Sequence, residues 1–468
     1  MSAVDATAPA GPMTGSAAAT VMPDEGLHAE IGIGTAPHRE KFIPVTPQAL
    51  MDRLAAEHCW GAGEAAKARR FFHYLAHWRQ QSYGARLLDL QQTYEPFSPD
   101  SDLLITRAYN ADERASLQKR LMSQLRELFE SANFERVDAK DVHIILTKDS
   151  HYGLDLHVDL HAFEEIMIYT RGAVNRTESR RSARRLYLVR ENFEVPIFQR
   201  LLMVFKLKPV EVRVREVMRE QNLDRKSAEK HVRRMRSVLP ANVKSDYVYI
   251  KLFKNMPRSD LEMCFPNTKV RFRLFDKIKL GVTAGGGLGM GVFGTASKIA
   301  VAAANPIALA GAVLGLGGIA VRQASNFVNQ RNRYMVKMVQ NLYFHALADN
   351  RGVMTLLADR AAEEDTKEDM LLYAVLAKET ANVADLKDVD AAIERYLLNT
   401  FGISVNFDVQ DAMRRLVADG IVTQHPDGTL TTLAPADGAK HIDALWDSYL
   451  DNLPDSVPEE GHEFGNGL

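Results

Sequence analysis

Cysteine and tryptophan are nearly missing from this chain, with two of one and three of the other in 468 residues. Cys59 and Cys264 stand far apart, without CxxC or zinc spacing, so a disulfide framework and a cysteine metal centre are both excluded. They read as reduced, buried thiols in a reducing compartment. Excess charge of one sign is missing too: 58 basic and 60 acidic residues leave a formal net charge of −2, so no global field announces a nucleic-acid or lipid partner. No P-loop, HExxH or GxSxG motif occurs, and no cofactor is expected. Residues 1–38 lack Lys and Arg and are rich in Ala, Gly, Pro and Thr, which reads as a disordered tail, not a secretory signal or mitochondrial transit peptide.

A quarter of the residues are charged, yet Leu280–Ser297 and Ile299–Val321, of 18 and 23 residues, carry no charge, with Lys298 between them. The second exceeds the roughly 20 residues a helix needs to cross a bilayer. Its nine strongly apolar side chains are worth about −3 to −5 kcal/mol for insertion, before its Asn, Pro and glycines are deducted. Gly281, Gly285 and Gly289, and then Ala300, Ala304, Ala308 and Ala312, recur every four residues. Small residues at that spacing let two helices pack closely in lipid. The expectation is a transmembrane helix hairpin over 279–322, with a single span and a glycine/alanine-rich hairpin inside a soluble core as alternatives. Arg271, Arg273, Lys277 and Lys279 before it, and Arg322, Arg331, Arg333 and Lys337 after it, place both soluble halves on the cytoplasmic side.

Ordered sequence begins near Arg39. Thr46 and Pro47 form a cap and first-turn signature, and apolar residues at helical spacing predict helices around Leu50–Ala55, Phe71–Leu90 and Asp112–Ala132, giving a helical region over 39–150. His73 and His77 lie four apart but no third ligand stands beside them. Leu154 to His161 alternates apolar with polar, which predicts a half-buried strand. His157, Asp159 and His161 on its polar face are weak metal candidates, because alternate positions on a strand stand about 7 Å apart and outside ligands would be needed. Residues 151–278 read as a basic α+β unit. Between Arg171 and Pro240 there are 19 basic and 8 acidic residues, with Arg180, Arg181, Arg184 and Arg185 at the densest point. A solvated face explains that run, and so do anionic lipid head groups beside an anchor or, less simply, nucleic acid.

Gly289, Gly291 and Gly294 spell GxGxxG, but no acidic residue follows before Asp349 to hold a ribose, which disfavours a dinucleotide site. After a helical region over 323–380, Glu364 over Glu368 and Asp365 over Asp369 read as a solvated acidic helix face. The tail over 381–452 then runs helix, short strand, helix, hairpin, helix, the order of a winged helix, ahead of a disordered 453–468. From Ala381 to Asp451 there are 12 acidic and 5 basic residues. Without phosphate neutralisation no DNA partner is expected, and the module reads as a site of protein coupling or self-association.

The stretches REKFIPVT at Arg39, FEVPIFQRLLMVFKLK at Phe193, VYIKLFKNMPRSDLEMCFPNTKVRF at Val248, YFHALADNRGVMTLLADRAAEEDTKEDMLLYAVL at Tyr343 and the LWDSYL ending resemble the transmembrane protein 143-like family of membrane proteins of unknown function. That resemblance implies two membrane segments and supplies no catalytic residue. The combined expectation is a mainly helical α+β protein of the bacterial inner membrane with both termini cytoplasmic. It acts as an adaptor that touches the bilayer and a protein partner or second copy. A membrane-associated enzyme with its site near His157, Asp159, His161 and Glu363 or Glu368 is the alternative, and a soluble nucleic-acid binder the second.

Overall fold

The computed structural model describes residues 39–138 apart from 105–106, residues 155–271 apart from 182–189, 238, 241–242 and 268, then 336, 339, 342–452 and 462–463. Its first helix, α1 (Pro47–Leu54), starts where Thr46 Oγ1 accepts from the Ala49 amide and Pro47 fills the first turn, which needs no amide donor. Helix α2 (Glu64–Tyr94) follows, and α3 (Ala111–Ser131) opens with a reciprocal capping box between Asn110 and Glu113. Leu117, Leu121, Leu125 and Leu128 bury one face of α3 as their spacing predicts.

An antiparallel sheet is built in chain order from β1 (Glu135–Arg136), β2 (Phe163–Arg181), β3 (Arg190–Leu207), β4 (Val248–Pro257) and β5 (Ala346–Asp349). Between β3 and β4 the chain makes a helical pair, α4 (Val210–Gln221) and α5 (Arg225–Arg236), closed on Val214, Val217, Ala228 and Val232. The run Leu201–Val204 is fully buried because both faces of β3 are covered. Leu202 and Val204 face the core shared with α2 and α3, while Leu201, Met203 and Phe205 face Leu261 and Phe265 beyond the sheet. Of the alternation predicted from Leu154 to His161, the described residues make a strand over Asp155–His157, paired with Lys269–Arg271. Asp159 then caps a 3-10 turn and ends it.

Helix α6 (Asn350–Leu376) is the spine. Its first half, Val353 to Ala362, packs against α2, α3 and the sheet, whereas Met370 to Leu376 enters a second core with α1, Phe71 and Phe72. That second core is completed by β6 (Ala381–Asn382), α7 (Leu386–Phe401), α8 (Val409–Ala418), the hairpin β7 (Val422–Gln424) and β8 (Thr429–Thr432), and α9 (Pro435–Asp447). The three short strands form a sheet in the order β7, β8, β6. Helix α9 lies directly on α2, for a Cβ at Gly438 would come within 2.7 Å of Phe71 Cε2. Gly438→Ala is therefore expected to cost about 1–3 kcal/mol through overpacking, seen as a lowered thermal midpoint. An unchanged midpoint would show that Phe71 moves aside freely.

The expectations of a transmembrane helix and of a bacterial inner-membrane location are corrected here. Among the described residues no helix is long and apolar enough to cross a membrane. The three helices with sufficient length, α2 of 31 residues, α3 of 21 and α6 of 27, are studded with charges, and those in the middle of α6 are neutralised inside the protein. The stretch 279–322 on which the hairpin was placed, with Gly281, Gly285, Gly289, Ala300, Ala304, Ala308, Ala312 and the GxGxxG glycines, lies outside the described residues.

Candidate functional site

Between its two apolar halves α6 presents Glu364, Asp365, Lys367, Glu368 and Asp369, all at most 6 % exposed. The solvated acidic face expected there is wrong, because helices and sheet cover this middle part of α6 and supply the countercharges. Arg415 of α8 enters from one direction. Its Nε donates to Asp369 Oδ1 at 3.0 Å and its Nη2 to Glu368 Oε2 at 2.7 Å, while Nη1 stands 3.2 Å from Asp365 Oδ1. Arg79 of α2 enters from another, donating from Nε to Asp369 Oδ2 at 2.5 Å and placing Nη2 2.5 Å from Asp419 Oδ2. Tyr83 donates its hydroxyl to Asp365, Asn133 its amide to Glu368, and Trp78 its indole N–H to Asp419. Burial pushes the Asp365 carboxyl up to about 6 and that of Glu368 up to about 7, even with Arg415 pulling both down.

One turn earlier in α6 a second cluster faces the sheet. Glu364 Oε1 accepts from Arg171 Nη2 at 2.6 Å and from Lys367 Nζ at 2.9 Å, and its Oε2 accepts from the Ile43 amide at 3.0 Å. Lys367 also donates to the Ile43 carbonyl at 2.6 Å. These bonds pin the segment Arg39–Thr46 as a strap across the molecule. Arg39 pairs with Glu394, Glu40 bridges to Val405, and the Glu40 carboxylate accepts from the Ala173 amide. Under the strap lies a cavity of about 370 Å³ lined by Phe42 to Pro47, Arg171, Gln199, Arg200, Arg360, Glu363, Glu364 and Lys367. Gly172, next to the lining residue Arg171 and at φ 75°, lets the lining side chain of Gln199 come close, since a Cβ there would sit 2.5 Å from Gln199 Oε1.

The residues singled out from sequence are not brought together at either cluster. His157 lies on the short strand opposite Lys269, and His161 is exposed. Asp159 is buried, accepts from the His161 amide and sits 3.6 Å from Arg213 of α4, while Asn267 donates to its carbonyl. Its countercharge is thus an arginine, and among the described residues no group of three or more His, Cys, Asp or Glu could hold a metal. Glu363 lines the cavity under the strap and Glu368 is held by Arg415. His73 and His77 are exposed on α2. Arg180 and Arg181 fall on β2, and Arg184 and Arg185 lie outside the described residues.

Residues 163–352 match the family model described as Protein of unknown function (DUF3754). The matched span contains β2 to β5, the α4–α5 pair and the first residues of α6, so Arg171 and Arg200 lie inside it. Arg79, Arg360, Lys367 and Arg415 lie outside. No solved structure matches the chain.

Arg79 and Arg415 were missed by the sequence reading, although a signal for the first exists. On α2 the buried stripe runs Ala68, Phe72, Leu75, Arg79, Tyr83, so an arginine occupies a core position and demands a buried partner. Glu364 and Glu368 likewise continue the stripe Leu357, Ala361 and return to Leu371 and Leu372.

Proposed function

We propose that this protein is an adaptor, a rigid body that couples to another protein through its C-terminal module, which we read as a winged-helix-like fold. The supporting observation is how α8 is used. In a DNA-reading winged helix the second helix offers its basic residues outward, but here Arg415 is turned into the α6 carboxylates and Arg414 is paired with Asp411. Arg415 is not left for phosphate, and the exposed Arg414 has Asp411 beside it, which argues against the nucleic-acid alternative. The shared pieces of sequence keep kinship with the transmembrane protein 143-like family within the proposal for the parts outside 279–322.

The outer face of α9 has the composition of a protein-binding surface. Trp446 on α9 is 46 % exposed and Leu450, just past its end, 70 % exposed, and Asp443, Asp447 and Asp451 beside them in sequence are exposed. An aromatic anchor with a charged rim is how binding energy is usually concentrated. The partner that fits is a protein surface with an apolar pocket rimmed by Lys and Arg. The exposed basic side of α5, with Arg225, Lys226, Lys230, Arg233 and Arg234, makes a second copy of the chain one such surface.

Sedimentation velocity of the full chain over a range of concentrations, at about 50 mM and again at about 200 mM salt, tests self-coupling. Association that weakens with salt and is lost in Trp446→Ala and in Asp443→Lys is the expected outcome. Duplex DNA added in the same buffers is expected not to co-sediment. A chain that stays monomeric throughout and binds duplex with a steep salt dependence would overturn the reading.

A further inference from the structure

We propose that the cavity under the N-terminal strap binds a small phosphorylated molecule, with Arg200 and Arg360 holding the phosphate and Arg171 behind them. Four cations line this cavity, Arg171, Arg200, Arg360 and Lys367, against two carboxylates, Glu363 and Glu364. Glu364 is consumed by Arg171 and Lys367, and Glu363 by Arg360 at 2.6 Å. Among the described residues Arg200 meets no carboxylate; its Nη1 donates only to the carbonyl of its neighbour Gln199. Arg171, though 12 % exposed at the side chain, keeps a buried Nε without a hydrogen-bond partner. Two positive charges are thus uncompensated in one concave site.

The sheet register makes this arrangement costly. Arg171 on β2 stands directly opposite Arg200 on β3, and Arg200 stands opposite Lys254 on β4, so three cations cross adjacent strands in a row. Like charges directly opposite one another destabilise a sheet. Burial, and then the charge of Arg360, lowers the pKa of Arg200; burial also lowers that of Arg171, with Arg360 and Arg200 opposing its ionisation. A phosphate monoester carries about −1.5 to −2 charge at neutral pH and three acceptor oxygens, which matches the excess in sign and size. Planar guanidinium groups suit it because each can give two parallel N–H bonds. A monocarboxylate would neutralise only half the excess.

The remainder of the ligand is constrained by the other wall. Phe42, stacked 4.4 Å over the Arg171 guanidinium, and the side chains of Pro44 and Val45 give the strap an apolar inner surface. At about 370 Å³ the space suits a small metabolite-sized molecule. The predicted class is therefore an organic phosphate with a compact apolar or aromatic group, which would lie between strap and sheet and tie them together.

Calorimetric titration and thermal denaturation of the full chain, at matched ionic strength, with phenyl phosphate, inorganic phosphate and acetate, test the proposal. Phenyl phosphate is expected to bind and to raise the thermal midpoint more than inorganic phosphate, and acetate is expected to do neither. Arg200→Ala is expected to weaken both phosphates at least about tenfold, since a charge-assisted contact is lost. Its midpoint in chloride alone should equal or exceed that of the wild type, because the Arg171 repulsion is relieved; this separates lost binding from lost folding. Arg120→Ala, on the exposed face of α3 and away from the cavity, should bind as the wild type does. Failure of both phosphates to bind, equal effects of acetate, unaltered binding by Arg200→Ala, or an equal loss in Arg120→Ala would each overturn it. Equal affinity for the two phosphates would overturn the assignment to an organic phosphate.

Discussion

Truncation of Arg415 to alanine is expected to cost about 3–5 kcal/mol of folding stability at neutral pH, the range seen when one partner of a buried ion cluster is removed. Its guanidinium reaches three carboxylates on α6, at 3.2 Å from Asp365, 2.7 Å from Glu368 and 3.0 Å from Asp369. Burial alone would depress its pKa, yet Asp369, Asp365 and Glu368 together raise it, so the side chain is held charged. Without it, three carboxylates within one helical turn face each other out of water, with Arg79 left as their cation. The cost is not the loss of a favourable pair. It is the desolvation of acids that the pair had offset. Urea denaturation measures it as a fall in midpoint at unchanged slope, which keeps the loss distinct from a change in the unfolded state. The companion triple change Arg415→Met, Asp365→Asn, Glu368→Gln removes charge on both sides and should recover most of the loss. If Arg415→Ala denatures where the wild type does, α8 is not held to α6 by this cluster.

Much of the helical framework was legible because α1, α3 and α8 obey simple rules: a cap, an apolar stripe and a stop. The long β2–β3 ribbon was less legible. The run from Phe193 to Lys208 contains no clean alternation, since both faces of β3 are covered where it passes between the two core layers, and a two-sided strand loses the period that marks a one-sided one. For α6 the reading failed for a related reason. A helix that is surrounded has no polar face, so charges spaced four apart look identical on paper whether water or arginine answers them. What distinguishes the cases is a complementary charge misplaced on another apolar stripe, and Arg79 is that charge. The cavity under the strap could not be read locally at all. It joins Phe42, Arg171, Arg200 and Arg360 across 318 positions of chain, counted from residue 42 to residue 360, and only the register of β2 against β3 sets two of its arginines face to face.

The same cluster makes stability fall as the solution becomes less acidic. Among the described residues Asp365, Glu368, Asp369 and Asp419 oppose only Arg79 and Arg415, so the site holds two more acids than bases. Burial raises the Asp365 carboxyl to about 6 and the Glu368 carboxyl to about 7, with Asp369 adding to the first and Asp365 to the second against the pull of Arg415. In the unfolded chain both titrate near about 4. Between that value and about pH 7 the folded state therefore keeps protons that the unfolded state has released, and the linkage slope is negative. The stabilisation is fully present below about pH 4 and decays as pH rises through 6 and 7. It amounts to a few kcal/mol for the two groups, since each tenfold gain in proton affinity on folding is worth about 1.4 kcal/mol. Carboxylates whose pKa is lowered on folding, such as Glu216 beside Lys208 and Arg213, act in the opposite sense and only at lower pH. The thermal midpoint is thus expected to be higher at pH 5 than at pH 8. Asp365→Asn retains the shape and the Tyr83 hydrogen bond while removing the charge, so its midpoint should match the wild type at pH 5 and exceed it at pH 8. Arg415→Ala should show the reverse, with its deficit deepening as pH rises and the abandoned acids lose their protons. A wild-type midpoint that climbs steadily from pH 5 to pH 8 would mean that water reaches the middle of α6 and that the charges there are not a buried cluster.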